Sequence, residues 1–64
     1  MLYQKELCYI TDALNQLIEN IDAAEMQPSK AKGHIIGALD QCGVIASTAR
    51  EMVESLAALA AELE

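Results

Sequence analysis

Apolar residues recur along two stretches of the chain at alternating spacings of three and four residues. In the first stretch they are Tyr3, Leu7, Ile10, Leu14, Leu17, Ile21 and Ala24. In the second they are Ile35, Ala38, Cys42, Ile45, Ala49, Met52, Leu56, Leu59 and Leu63. This alternation places the apolar side chains along one side of an α-helix. The pattern therefore predicts two amphipathic helices, one over residues 2–26 and one over residues 30–63.

The strongest turn signal lies between these stretches, at the single proline of the chain. Because Pro28 disfavours the helical conformation in the residue before it, the first helix is expected to end near Gln27. The second helix can then begin with Ser29 as its N-cap or with Pro28 in its first turn. A connection this short makes neighbouring helices antiparallel. We therefore predict an all-α fold, in which one domain over residues 1–64 forms an antiparallel two-helix hairpin with its turn near 27–29.

This turn also predicts which residues meet across the hairpin. Residues whose numbers add to about 56 lie opposite each other when the turn is centred near Pro28. Large side chains of one helix then face small ones of the other, such as Leu14 opposite Cys42, so that the helices interdigitate. The predicted hairpin core is Leu7, Ile10, Leu14, Leu17, Ile21, Ile35, Cys42, Ile45, Ala49 and Met52. Cys42 is expected to be buried there as a small apolar filler.

The same register leaves the end of the second helix without a partner in its own hairpin. The residues predicted to meet another chain there are Val53, Leu56, Leu59, Ala60 and Leu63, and a second outward patch is predicted at Tyr9 and Val44. Burial and conformational entropy nearly cancel for a chain of 64 residues, which argues for a partner subunit. Two copies could dimerise into a four-helix bundle, or one hairpin could clasp an amphipathic helix of a different protein. The homodimer is the commoner solution.

Charge and composition exclude several classes of function. Four basic residues against ten acidic ones give a net charge of −6, which opposes binding to nucleic acids or anionic membranes. His34 has no acidic or thiol residue three or four positions away, which argues against a metal site. The sequence contains no Ser/His/Asp set and no glycine-rich phosphate loop, so we expect neither catalysis nor a cofactor. Because it also lacks a leader-like start and a long apolar run, we expect a cytoplasmic protein.

These features favour a non-catalytic protein–protein interaction module that acts as a regulator, inhibitor or adaptor of another protein. An inhibitor of the kind that phages and plasmids carry is one such protein. The order of a shorter helix, a turn and a longer helix resembles two groups of small bacterial hairpin proteins: the co-chaperones of type III secretion needles and plasmid copy-number regulators of the Rop type. The resemblance covers architecture alone. The first group implies a clasp around an amphipathic helix, and the second implies RNA binding, which the acidic charge disfavours.

Overall fold

The computed structural model describes residues 2–63 and consists of two long helices joined by a short turn. Helix α1 spans Gln4–Met26, helix α2 spans Ala31–Glu62, and a single 3-10 turn, Pro28–Lys30, connects them. The helices pack side by side in a rod of 54 × 18 × 13 Å. The predicted antiparallel hairpin is confirmed, and each helix boundary lies within two residues of its predicted position. Within the described residues, neither helix combines the length and apolar content that a membrane span requires.

The turn between the helices follows from Pro28. Gln27 adopts φ −129° and ψ 74°, outside the helical region, as is usual for a residue before proline. Its N–H donates to the carbonyl oxygen of Ala23 at 2.9 Å, which closes the last turn of α1. Pro28 opens the 3-10 turn, and Lys30 takes the N-cap position of α2 without a side-chain hydrogen bond. Neither predicted start is observed for α2 itself: Pro28 opens the 3-10 turn that precedes the helix, and Ser29 lies inside that turn, so neither residue takes the predicted position.

The start of α1 is held against α2 by Tyr3. Its φ of 64° lies in the left-handed region, which is unfavourable for a residue with a Cβ. Its carbonyl oxygen accepts a hydrogen bond of 2.8 Å from the N–H of Leu7. Its hydroxyl lies 2.5 Å from Ser55 Oγ on α2, and either oxygen can donate the proton. These contacts fix the end of the hairpin that lies farthest from the turn.

Small and polar side chains form the closest part of the contact between the two helices. Among residues 2–63, the buried side chains are Ala13, Ala24 and Ala38. Beside them, Asn20 Nδ2 donates to Gln41 Oε1 at 2.8 Å, and Gln41 Nε2 donates to Gln16 Oε1 at 3.2 Å. Gly37 lies directly opposite Asn20, because a Cβ on this glycine would fall 3.0 Å from Asn20 Nδ2. The helices therefore approach closely where one of them lacks a side chain.

Three opposing pairs define the register of the hairpin. They are Gln16 with Gln41, Asn20 with Gly37, and Tyr3 with Ser55. Their residue numbers add to 57 or 58, which moves the predicted register by only one or two residues.

The predicted core needs a larger correction. Its half-buried members are Ile10, Leu17, Ile45, Ala49 and Met52. Its exposed members are Leu7, Leu14, Ile21, Ile35 and Cys42, so the prediction that these five are buried within the hairpin is wrong. The contact row of α1 runs through Ala13 and Asn20, one residue before Leu14 and Ile21. The second row of the expected seam, Ile10 and Leu17, stays at the contact. Because only one of two rows is replaced by a row about 100° away, the centre of the contact moves by half of that angle, so α1 is rotated by roughly 50° and part of its apolar seam faces away from α2.

Candidate functional site

The exposed apolar side chains of both helices lie on one side of the hairpin, which we call the apolar face. Its members are Leu7, Leu14, Ile18 and Ile21 on α1, and Ile35, Leu39, Cys42, Ala46, Val53 and Leu56 on α2. On α1, Leu14 follows the contact residue Ala13 by one position, and on α2, Cys42 follows Gln41 in the same way. The same step turns both side chains in the same sense about helices that run in opposite directions. The two rows therefore point to the same side of the pair.

The apolar face is both strongly exposed and free of charge over most of its length. Leu39 is 66% exposed and Val53 is 65% exposed. Within the described part of the chain none of its named members is charged, and the nearest charged side chain on α2 is Arg50, one turn from Ala46 and from Val53. A monomeric soluble protein rarely exposes so continuous an apolar surface unless that surface has a partner.

The far end of the apolar face extends beyond α1. Because Tyr3 meets Ser55, the residues of α2 after Ser55 pass the start of α1 and remain helical to Glu62. The predicted contact residues in this overhang are placed as follows: Leu56 is exposed, Leu59 is half-buried, Ala60 is exposed and Leu63, just after the helix, is exposed. At a rise of 1.5 Å per residue the helical overhang is about 10 Å long.

The opposite side of the hairpin differs in chemistry, and we call it the grooved face. A groove of about 320 Å³ lies there, lined by Lys5, Glu6, Tyr9, Val44, Thr48 and Glu51. Tyr9 and Val44 also border a second groove, together with Gln16 and Gln41 of the amide network. The structure thus brings the predicted patch of Tyr9 and Val44 together, but on the side away from the leucine-rich overhang. The predicted interface residues consequently belong to two separate surfaces.

The grooved face rests on a row of polar residues that the sequence argument missed. The row consists of His34, Gln41, Thr48, Ser55 and Glu62, each seven positions from the next. This seven-residue repeat of polar side chains runs beside the apolar seam of α2. It can be recognised in the sequence, because polar residues at every seventh position lie along one edge of a helix. Gln41 and Ser55 of this row make the hydrogen bonds to α1.

Metal-ligating and thiol side chains are few among the described residues. Residues 2–63 contain no group of three or more His, Cys, Asp or Glu side chains placed to share a metal ion. Cys8 and Cys42 are both exposed free thiols. No protein-family model matches the chain, and neither the curated proteins nor the solved structures give a significant match. The two faces of the hairpin are therefore the basis for an argument about function.

Proposed function

We propose that this chain is a non-catalytic protein–protein interaction module that regulates, inhibits or adapts another protein. The observation that supports it best is the apolar face, which is uncharged and continuous along both helices. Exposed apolar patches of more than a few hundred Å² mark interaction sites in soluble proteins. Covering each exposed leucine, isoleucine or valine would contribute about 1.5–3 kcal/mol. A partner that covers this face therefore gains binding energy from many side chains at once.

The grooved face supports the proposal from the other side of the molecule. Tyr9 is 56% exposed and Val44 is 47% exposed beside a concave surface. Tyrosine is enriched at protein interfaces because it offers a large apolar ring with one polar atom. Two distinct surfaces on one small chain suit an adaptor or inhibitor, since one surface can self-associate while the other holds a target.

Charge and cysteine chemistry indicate the kind of partner and compartment. A net charge of −6 favours fast association with a basic protein and disfavours nucleic acid. Free exposed thiols at Cys8 and Cys42 suit a reducing compartment, so we place the chain in the cytoplasm.

A second candidate is a co-chaperone that clasps an amphipathic helix of its client. The specific observation in its favour is the position of the overhang, because Leu56 and Leu63 extend the apolar face past α1. A client helix that packs along α2 would cover these side chains and form a third helix of the contact.

Capture by face-specific variants tests the proposed function. The full chain is immobilised and exposed to lysate of its source cells, in parallel with Val53→Asp on the apolar face, Tyr9→Asp on the grooved face, and Asp40→Asn on the outer side of α2. We expect a protein that the wild type and Asp40→Asn retain, and that at least one face variant loses. Identical retention by all four chains contradicts the proposal, because binding would then be independent of both faces.

A further inference from the structure

We propose that a second copy of this chain covers the apolar face, in a two-fold dimer whose turns lie at opposite ends. The inference rests on the proposed function in one respect, because it names the partner of the same face. In this dimer the α2 helices of the two copies lie antiparallel against each other, as do the α1 helices. The result is a four-helix bundle in which every neighbouring pair of helices is antiparallel.

The order of side-chain sizes along α2 supports this arrangement. The exposed row has large residues at both ends and small residues in the middle: Ile35, Leu39, Cys42, Ala46, Ala49, Val53 and Leu56. An antiparallel pairing centred on Ala46 sets Leu39 against Val53 of the second copy and brings Ile35 within one residue of its Leu56. The small residues meet at the centre, where they let two helices approach closely. A pattern that is nearly symmetric about one residue suits contact with a copy of itself, since a two-fold axis matches each residue with its mirror position.

The length of α2 gives the same centre independently. The helix runs over Ala31–Glu62, and its midpoint falls between Ala46 and Ser47. Pairing about this point overlaps the two α2 helices along their whole length. Each overhang, beginning at Leu56, is then covered by the first turns of α2 in the second copy. The axis that matches the side-chain sizes is thus also the one that leaves no part of α2 unpaired.

Helix α1 provides a further check on the same axis. The observed register, in which opposing residue numbers add to 57, places Thr11 beside Ala46. Leu7 and Leu14 flank Thr11, so the two-fold axis brings Leu7 within one residue of Leu14 of the second copy. Thr11 itself suits a buried position, because its hydroxyl already donates to the carbonyl oxygen of Leu7 at 2.8 Å. One axis therefore matches exposed side chains on both helices.

Area and charge agree with a second copy in this orientation. The broad side of the hairpin measures 54 by 18 Å. That is enough for the about 800 Å² that each partner contributes to a standard protein interface. Turns at opposite ends keep the acidic ends of the two α2 helices, near Glu62, apart from each other. Turns at the same end would instead gather both acidic helix ends together, which is electrostatically unfavourable.

Light scattering on the full chain at micromolar concentration is the first test. We expect a mass of twice 6.9 kDa. A monomer at that concentration overturns the inference. If the monomer still shows face-specific capture of another protein, the proposed function stands and only the inference fails. If the chain is a dimer but no capture depends on either face, the inference stands and the proposed function fails.

Disulfide trapping then tests the axis without depending on the stability of a damaged interface. In a background with Cys8→Ser and Cys42→Ser, we expect Ala46→Cys to convert most of the protein to a crosslinked dimer under mild oxidation. Thr11→Cys, on the same axis, is expected to do so as well. The matched control is Ala57→Cys, because its two copies would lie about 33 Å apart along the helices, far beyond disulfide reach. Crosslinking of Ala46→Cys and Thr11→Cys no greater than that of the control overturns the proposed axis.

Discussion

The two sides of this hairpin show that polar and apolar side chains need different numbers of neighbours. On the grooved face, Gln41 hydrogen-bonds both Gln16 and Asn20, and the Tyr3 hydroxyl hydrogen-bonds Ser55. Among the described residues, no buried side-chain polar atom lacks a hydrogen-bond partner. A hydrogen bond needs one well-placed neighbour, which a single hairpin supplies. An apolar side chain needs to be surrounded, and two helices supply only one neighbouring surface, so the apolar face stays open.

The comparison also gives the amide network a structural role. Polar contacts lie along one edge of the helix pair, and this edge turns the apolar seams of both helices away from it. A polar residue at an otherwise apolar contact can fix the register of paired helices. We expect Gln41 to act in this way, by selecting the rotation of α1 and α2 that exposes one continuous apolar face.

Leu14→Asp is expected to have the largest effect. Leu14 is 45% exposed in the single hairpin, and would tolerate the change if nothing covered it. In the proposed dimer the carboxylate would be buried among leucines, so we expect the free energy of unfolding to fall by about 3 kcal/mol or more. Urea denaturation followed by circular dichroism measures this loss. Glu19→Ala on the outer side of α1 is the control, with an expected change below about 0.5 kcal/mol. Equal tolerance of both changes would remove the distinction between the faces.

Leu56→Ala tests whether the leucines of the overhang are covered in solution. We expect it to destabilise the protein by about 2 kcal/mol, because a covered leucine loses its contacts and leaves a cavity. Leu2→Ala makes the same chemical change at a residue that is 68% exposed and precedes α1, and we expect it to cost less than about 0.5 kcal/mol. Thermal unfolding at two protein concentrations provides the measurement. An overhang that stays open in solution would make the two costs equal.

Two glycines of α2 sharpen the comparison by their surroundings. A Cβ on Gly43 would meet nothing within 4 Å, so Gly43→Ala is expected to stabilise the helix by about 1 kcal/mol. A Cβ on Gly37 would lie 3.0 Å from Asn20 Nδ2 and would press on the amide network. We therefore expect Gly37→Ala to give no net gain, because displacement of Asn20 offsets the higher helix propensity. Chemical denaturation of the two variants side by side is the measurement. Equal stabilisation would show that Asn20 moves away from the new Cβ at no cost in the free energy of unfolding.

Tyr3→Phe is expected to have the smallest effect. It removes the hydroxyl that meets Ser55 Oγ and leaves the ring in place. Since this hydrogen bond is exposed, we expect a loss of about 0.5 kcal/mol, at the low end for such bonds. Tyr9→Phe on the grooved face is the matched change, and we expect no measurable loss of stability. Hydrogen exchange at the first turn of α1 is a suitable readout, and faster exchange in Tyr3→Phe alone is the expected outcome.

Much of the fold could be predicted from local sequence signals. The spacing of apolar residues predicted both helices, and Pro28 predicted the turn, because these depend on backbone preferences of a few neighbouring residues. The register followed to within one or two residues, since a short turn leaves little freedom. The candidate site was predicted in part. Tyr9 and Val44 do lie together, but the apolar patch includes Leu7 and Leu14, which were expected inside the hairpin.

The sequence by itself therefore determined that this chain forms two helices, where they meet, and that its apolar surface exceeds what one hairpin can cover. Only the tertiary structure decided how each helix is rotated about its axis. That rotation depends on how closely Ala13, Ala38 and Gly37 let the backbones approach and on the Asn20–Gln41 hydrogen bond, which join residues far apart in sequence. A spacing of three and four identifies a stripe, but packing selects which part of that stripe faces the neighbouring helix. Here it kept Ile10, Leu17 and Ile45 beside the small residues, and turned Leu7, Leu14 and Ile21 outward.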